Sequence, residues 1–308
     1  MDNLVKKIRT SSGDLQIDYN SLANLPTISN PNLLINGDFQ VWQRGDTFGN
    51  HENAYCADRW LINNANYSTY SVTRSTDVPE NECMQNSIRI VEKNNANTYL
   101  RYNFEKALRG TYTLSFWYKS TVVINTYIVD NGESVLLCSL PATGVWTRAA
   151  YYFTASSLSK INLIQAMNIG ECYITGVKLE AGMTATQFVP RTYAEELALC
   201  RRYYQTINLD RLDVVCYLQK RNVDEYGGFV HFEVMRAIPT VTKTGTFFVE
   251  QYNNTSVYSV EEDRLTHLHM VPQLSGLKFG IKMSTSDPVN YLAVLSDSAA
   301  LKFDAEIY

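Results

Sequence analysis

The chain has 308 residues and a formal net charge of −4, and 45% of its residues are hydrophobic. That fraction is enough for buried cores and excludes a disordered chain, and the length favours two domains plus an extension. Lysine and arginine are scattered, so no basic stripe predicts nucleic-acid binding. No signal peptide and no run of about 18 apolar residues occurs, so we expect cytoplasmic synthesis without membrane insertion.

The tyrosine and cysteine contents indicate more about the fold. The 21 tyrosines favour β-structure first and recognition surfaces second, because tyrosine suits half-buried strands and wet interfaces. The six cysteines are far apart in sequence and form no CxxC pair. They are therefore predicted to be free, buried thiols.

Residues 1–31 are predicted to form an extended anchoring or oligomerisation segment. Leu15, Ile17 and Tyr19 alternate with polar residues, which is typical of a strand, yet the segment has too little apolar area for a core. We expect it to dock on another protein or to pair with copies of itself. A mobile terminus is the alternative.

Residues 32–190 are predicted to form many short strands. Thr111–Tyr118 alternates strongly after a turn at Gly110, and Asn131-Gly132 separates two apolar runs as in a hairpin. Further strands are expected over residues 122–129, 135–140, 145–153, 161–164 and 172–179. Many short strands with regular turns favour an antiparallel β-sandwich or jelly roll.

A single helix is predicted over Thr192–Gln205. Thr192 and Glu195 have the spacing of a capping box. Four residues are expected on the packed face of the helix: Tyr193, Leu197, Cys200 and Tyr204.

From residue 207 the strand pattern returns, and about a hundred residues are expected to form a second, smaller β-sandwich. The fold class is therefore all-β: a jelly-roll or β-sandwich domain, one linking α-helix, then a smaller β-sandwich, preceded by the extended segment. The predicted boundaries are 1–31, 32–190, 191–206 and 207–308.

Five sequence blocks suggest a family. In chain order they are NLLINGDFQVWQRG (32–45), ADRW (57–60), GVKLEAG (176–182), FVPR (188–191) and YAEELALCRRYY (193–204). These blocks resemble the carbohydrate-binding-module-like domain of bacteriophage tail-fibre and virion appendage proteins. MRAIPTV (235–241) and FDAEIY (303–308) also resemble phage fibre C-terminal domains.

The resemblance implies a non-enzymatic virion protein, a homotrimeric fibre or appendage subunit exposed on the phage particle. Residues 1–31 would anchor it to other virion proteins, and its β-domains would bind a host cell-surface glycan. Two alternatives stay open: a purely structural head or tail decoration or connector protein, and a cellular carbohydrate-binding module.

Sugar binding uses aromatic rings that stack on pyranose faces, with polar side chains beside them. Five residues are candidates for glycan contact: Trp42, Arg44, Tyr55, Asp58 and Trp60. Tyr55 follows a polar run expected to be a loop at the rim of the domain.

The alternative for these residues is structural. Trp42 and Trp60 would belong to the core, and Asp58 would pair with Arg59 inside the protein. Trp117 and Trp146 lie in alternating strands and are assigned to the core.

Catalysis is not predicted. The chain has no GxSxG, P-loop, GxGxxG or HExxH motif, and only four histidines. A small glycosidase would need two carboxylates across a cleft, and no pair can be placed from the sequence.

No metal or cofactor is predicted either. His267 and His269 would share one face of a strand and could converge on a metal at a three-fold axis, but exposed strand histidines are the alternative. In the related sugar-binding modules a Ca²⁺ site uses carboxylates, and Gln40 and Thr175-Gly176 stand at those places here.

Overall fold

The computed structural model describes most of the chain and starts with a short hairpin. The described residues are 6–10, 13–17, 30–49, 54–64, 70–93, 98–165, 169–210, 214–220, 225–251, 257–259, 271–273, 275–282 and 291–307. In the hairpin, β1 (Lys6–Thr10) pairs antiparallel with β2 (Gly13–Ile17). The predicted strand at Leu15 and Ile17 is therefore confirmed, whereas Tyr19 lies outside the described residues.

A sheet of ten strands forms the first lobe. Its strands are β3 (Thr47–Gly49), β4 (Ala54–Tyr55), β5 (Trp60–Asn64), β6 (Tyr70–Ser75), β7 (Ser87–Glu92), β8 (Thr98–Ser120), β9 (Ile124–Asp130), β10 (Glu133–Leu140), β11 (Thr147–Gln165) and β12 (Gly170–Ala181). The main path runs β10-β9-β11-β8-β12-β7-β6-β3, and β5 joins β4 to β8. All pairs are antiparallel.

Two long strands turn this sheet into a sandwich. The start of β8 pairs with β5 and with the end of β11, whereas the end of β8 pairs with β12 and with the start of β11. The β8–β11 register shifts between Ala155 and Lys160, and strands change layers at such bends. Layer A contains β4, β5, the first half of β8, the second half of β11, β9 and β10. Layer B contains the other halves of β8 and β11, then β12, β7, β6 and β3.

Both layers contribute to one hydrophobic core. Leu100 and Tyr102 from layer A are buried in the same cluster as Leu114, Phe116 and Tyr118 from layer B. Successive strand residues face opposite sides, so these alternating residues point inward together. The prediction of an all-β fold with a β-sandwich is confirmed.

The predicted hairpin at Asn131-Gly132 joins β9 to β10. Asp130 pairs with Glu133, and the two residues between them have φ values of 51° and 83°. Both values lie in the left-handed region, which asparagine and glycine tolerate best and which two-residue hairpin turns require. The turn prediction is confirmed.

The two tryptophans assigned to the core are not buried in it, so that assignment was wrong. Trp117 lies between the core residues Phe116 and Tyr118, so its side chain faces outward and is half-buried. Trp146 precedes β11, is also half-buried, and its indole Nε1 donates to Asp77 Oδ1 at 2.9 Å.

The linking helix α1 spans Tyr193–Arg201 and is shorter than predicted. Its capping box is confirmed, because Thr192 and Glu195 each accept a hydrogen bond from the other's backbone. The chain then turns at Arg202 and enters a strand at Tyr204, so the predicted helical position of Tyr204 was wrong.

The packed face of α1 also differs from the prediction. Cys200 is buried as predicted, whereas Tyr193 is 55% exposed and the other buried helix residue is Glu196. Glu196 Oε1 accepts from the backbone nitrogen of Asn36 at 2.5 Å, and its carboxylate pairs with Arg191 at 3.1 Å. A charged group therefore docks the helix where an apolar stripe was expected.

A sheet of eight strands forms the second lobe. Its strands are β13 (Tyr204–Leu209), β14 (Val214–Lys220), β15 (Glu225–His231), β16 (Thr240–Gln251), β17 (Val257–Ser259), β18 (Val271–Gln273), β19 (Gly276–Lys282) and β20 (Tyr291–Asp304). The path is β17-β16-β20-β14-β15-β19-β18, with β13 also paired to β20. The smaller core of this lobe includes Tyr226, Met235, Leu301 and Phe303.

Two other expectations concern the whole chain. Every cysteine is unpaired as predicted, and only Cys83 is exposed. Among the described residues, no helix is long and apolar enough to cross a membrane.

The opening motif is held in an unusual backbone conformation. Asn36 and Phe39 have φ values of 58° and 53°. The Asn36 side chain binds the backbone of Val41 and Asp58. The backbone carbonyl of Asn36 accepts a hydrogen bond from Trp60 Nε1 at 2.9 Å. The motif is therefore a packing element that joins two stretches of chain.

Gly37 tests this packing. A Cβ there would overlap the carbonyl oxygen of Val177, whose nitrogen donates to Gly37 at 2.7 Å. We expect Gly37→Ala to lower the free energy of unfolding by about 3 kcal/mol in urea denaturation, as overpacking does. Gly144→Ala is the control, since its φ of 63° costs about 1 kcal/mol but no atom lies within 4 Å. Equal effects of the two substitutions would contradict the close packing at Gly37.

Asp38 gives a pH-dependent test of the same region. Burial and the nearby Glu196 carboxylate raise its pKa from 3.8 to about 6. The folded protein therefore binds the proton more tightly than the unfolded chain, so this contribution to stability is lost as pH rises from about 4 to about 6. In Asp38→Asn we expect the loss to vanish, making the variant more stable than wild type at pH 7 by roughly 3 kcal/mol. Parallel stability–pH curves for the two proteins would refute this.

Candidate functional site

The two lobes meet at a buried group of charges. Arg59 of the first lobe forms an ion pair with Glu306, which follows the last strand of the second lobe, and both side chains are almost completely buried. Arg59 Nη2 also donates to the carbonyl of Asn103 at 2.7 Å. Buried ions need such partners, because removing them from water costs several kcal/mol each.

A second arginine extends this group. Arg44 Nη1 donates to Asp58 Oδ1 at 3.3 Å, and Nη2 lies 3.5 Å from Asp304 and 3.6 Å from Glu306. The pKa of Arg44 is raised, because the attraction of Asp58, Glu306 and Asp304 outweighs its burial. Burial raises the pKa of Asp58, with Arg44 opposing. We call Arg44, Asp58, Arg59 and Glu306 the junction cluster.

Stacking on tyrosines fixes both arginines. The Arg59 guanidinium lies 3.6 Å from the ring centre of Tyr203, and that of Arg44 lies 3.6 Å from the ring centre of Tyr204. These cation–π contacts hold the residues that follow α1 against the first lobe. They explain why the helix ends before Tyr203, since a helical continuation would turn these rings away from the arginines.

The end of the chain completes the junction. The carbonyl of Ile307 accepts from the Tyr55 hydroxyl and from Asn103 Nδ2, the latter at 2.7 Å. On the helix side, Gln43 Nε2 donates to the Tyr204 carbonyl at 2.8 Å. The lobes are therefore joined through polar and charged groups from both ends of the sequence.

A cleft of about 880 Å³ lies beside the junction cluster. Its floor is one face of the second sheet, where Thr206, Lys302 and Thr242 stand opposite one another on β13, β20 and β16. Its walls come from residues 43–45 of the first lobe and residues 236–238 of the second. Ligand sites often lie at such junctions, and this volume suits a small ligand.

The floor of the cleft has unused hydrogen-bonding capacity. Lys302, Thr240 and Thr242 make no side-chain hydrogen bond or ion pair to any other residue that the structure describes. Thr206 Oγ1 lies 3.1 Å from Asn208 Oδ1. Hydroxyl, amide and ammonium groups can bind the hydroxyl groups of a polar ligand.

The five predicted glycan residues lie at or behind this junction. Trp60 and Asp58 are fully buried, Tyr55 is 3% exposed and Trp42 is 8% exposed. Such side chains present no ring face to a sugar, so the geometry favours the structural alternative for them. Arg44 alone of the five lines the cleft. Direct glycan contact by these residues stays a prediction.

The aromatic pair is held inside the sandwich by specific contacts. Trp60 packs edge-on against Tyr102 with ring centres 5.2 Å apart, and Trp42 Nε1 donates to the Phe39 carbonyl at 2.6 Å. Tyr55 lies in β4, directly after the polar run predicted to be a rim loop, and its hydroxyl reaches the second lobe.

Sequence reasoning missed the residues of the cleft floor. Thr206, Thr242 and Lys302 lie on three strands that are far apart in sequence, and only the sheet register brings them together. The polar positions of β16 that alternate with Val241 were the available sign of an exposed face.

Metal binding finds no support in the described part of the chain, where no group of three or more His, Cys, Asp or Glu side chains could hold an ion. His267 and His269 lie outside the described residues, so the histidine prediction has no test here.

Comparisons with known proteins give structural neighbours only. No protein-family model matches the chain, and no curated protein matches it. The enzymatically active domain of tailspike protein 4 from bacteriophage CBA120 covers 40% of this chain at 17% identity, with a TM-score of 0.33. The chain covers 19% of that tailspike.

Two carbohydrate-binding modules align over most of their own length. The CBM22-1 xylan-binding domain of Paenibacillus barcinonensis Xyn10C covers 51% of this chain, with 98% of its own length aligned, 10% identity and a TM-score of 0.36. A CBM4 structure covers 48% of this chain, with 98% of its own length aligned, 17% identity and a TM-score of 0.32. With scores this low, the fold rests on the strand order above.

The junction cluster predicts a large effect of one substitution. Glu306→Gln leaves Arg59 and Arg44 buried with too little negative charge, and we expect a loss of about 3–5 kcal/mol in the free energy of unfolding. The control is Glu233→Gln, which breaks an exposed pair with Arg201 and should cost at most about 1 kcal/mol.

A double variant tests whether the loss of stability comes from an unpaired buried charge. Arg59→Met with Glu306→Leu removes both charges, and its stability should recover most of the loss. If Glu306→Gln were no worse than Glu233→Gln, the cluster would not hold the lobes together.

Proposed function

We propose that the protein is a non-enzymatic structural subunit of a bacteriophage virion that binds a host-surface glycan in the cleft between its lobes. The observation that carries glycan binding is the floor of the cleft, where Thr206, Thr242 and Lys302 form one polar row under a ligand-sized space. The virion role is supported by the sequence blocks described above.

The chemistry of the cleft suits the hydroxyl groups of an uncharged sugar. Hydroxyl groups of a pyranose both donate and accept, and threonine hydroxyls match both functions. Ile238 and Ala237 in one wall provide apolar contact for the CH groups of a sugar ring.

Binding without turnover is part of the proposal. Glycoside hydrolysis uses two carboxyl groups that flank the substrate. Asp38 and Asp58 have raised pKa values, as a general acid would, yet they are 5% and 0% exposed. Their burial explains the raised pKa values and keeps both groups from a substrate.

The proposed subunit is a homotrimer attached through residues 1–31 to other virion proteins. Its mass in solution at micromolar concentration tests the trimer, and a monomer would count against it. Labelling of intact particles at the C-terminus would test display on the virion.

A structural connector without glycan binding is the second candidate. It is favoured by one observation, that four of the five predicted glycan residues are buried in the interior and all four bond within the junction or the sandwich. Under this alternative the cleft is a contact surface for another virion protein.

A glycan array on matched variants decides between the two candidates. Thr242→Val with Lys302→Gln removes one hydroxyl group and one positive charge from the cleft floor, and we expect at least about a tenfold rise in Kd for the bound glycan. Thr73→Val with Lys106→Gln makes the same chemical changes on the first lobe, away from the cleft, and should bind as wild type.

Three outcomes are informative. Loss of binding in the cleft variant alone supports the proposal. Equal binding by both variants places the glycan elsewhere, and no binding by the wild-type protein to any glycan or host cell favours the connector.

A further inference from the structure

A second polar surface lies on the outward side of layer A, and none of its residues lines the cleft. Arg101 on β8, Asn162 on β11 and Tyr127 on β9 stand directly opposite one another across three strands. Tyr99 and Lys160 each lie two residues before a member of this row and therefore point to the same side. We call these five residues the Arg101 face.

The two cations of the Arg101 face have no acidic partner. Among the described residues, no carboxylate lies within 4.0 Å of either side chain. Arg101 Nε donates to the neutral amide oxygen of Asn162 at 2.8 Å, and Lys160 makes no side-chain hydrogen bond to a described residue.

Electrostatics on this face favours an added negative charge. Burial lowers the pKa of both Arg101 and Lys160, and the charge of Arg101 lowers that of Lys160 further. Diagonal neighbours on adjacent strands lie close enough for like charges to repel. An anion between them would relieve both the repulsion and the partial loss of hydration.

The geometry also indicates which kind of anion fits. With Nε bound to Asn162, the two terminal nitrogens of Arg101 are left to grip a planar carboxylate with paired hydrogen bonds. The ring centre of the half-buried Tyr99 lies 5.6 Å from the Arg101 guanidinium, and the half-buried Tyr127 stands next to Asn162 in the row, so both provide aromatic surface for a sugar ring.

We propose that the Arg101 face binds a carboxylate-bearing sugar residue of an acidic polysaccharide. Arg101 grips the carboxylate, Lys160 adds the second positive charge, and the tyrosines contact the pyranose. This site is separate from the cleft between the lobes and does not depend on glycan binding there.

Calorimetric titration of the full chain tests the proposal with three probes: trigalacturonic acid, the neutral galactotriose and inorganic phosphate. We expect trigalacturonic acid to bind and galactotriose to bind at least tenfold more weakly at this face. Added salt should weaken the binding of trigalacturonic acid but not that of galactotriose. Phosphate binding as tight as that of the acidic sugar would overturn the sugar assignment.

Variants locate the binding. Arg101→Gln with Lys160→Gln should raise the Kd for trigalacturonic acid at least tenfold, whereas Arg109→Gln with Lys106→Gln removes the same charges from exposed positions and should not. Thermal unfolding serves as the check on folding, and the Arg101 variant should be at least as stable as wild type because a repulsive pair is removed.

The cleft variant Thr242→Val with Lys302→Gln should still bind trigalacturonic acid. If it loses that binding while the Arg101 variant keeps it, the acidic sugar occupies the cleft and the proposed site is wrong. If wild type binds none of the three probes, the proposal also fails, whatever the cleft does with neutral glycans.

Discussion

The structure depends on the buried ion pair between Arg59 and Glu306. Each charge comes from a different lobe, and each would be an uncompensated charge if the other were missing. Arg59 has a φ of 73°, a conformation that needs support from its surroundings. That support comes from the turn closed by the Trp60–Ala57 hydrogen bond. The first lobe therefore contributes to holding Arg59 in place through its own backbone, and the second lobe supplies its partner.

Fixing this pair also fixes the cleft. Arg44 reaches Asp58 in its own lobe and Asp304 and Glu306 in the other, so the loop that carries it forms a wall at a set distance from the sheet floor. A site whose walls are already placed spends little binding energy on ordering itself. The charges at the junction thus set the shape of the cleft, because Arg44 and Glu306 form part of its lining and Asp58 and Arg59 are buried behind it.

Local patterns predicted local structure well. The Asn131-Gly132 turn, the capping box at Thr192 and the alternating strand Thr111–Tyr118 all depend on neighbours in sequence, and all are confirmed. The end of α1 could not be predicted in this way, since the contact between Tyr203 and the Arg59 guanidinium joins residues that are far apart in sequence.

The site could be predicted only in part, for the same reason. Aromatic and charged residues bind sugars when they are exposed, and the same residue types form contacts between lobes when they are buried. Whether such a residue is exposed depends on which other part of the chain packs on it. Glu306, which covers Arg59, is 247 positions away. The sequence therefore singled out Arg44 and Asp58, which lie at the junction, but could not show that most of the five predicted residues are buried.

Charge compensation distinguishes the two lobes' junction from the Arg101 face. At the junction each arginine meets carboxylates, as stability requires of buried ions. On the Arg101 face two cations share a half-buried surface with no carboxylate partner among the described residues, although the chain has 31 acidic residues against 27 basic. Neutral side chains at positions 101 and 160 would avoid that repulsion and still pair the strands. The contacts of the described residues therefore give no structural reason for this cation pair, and the proposed anionic ligand would provide one.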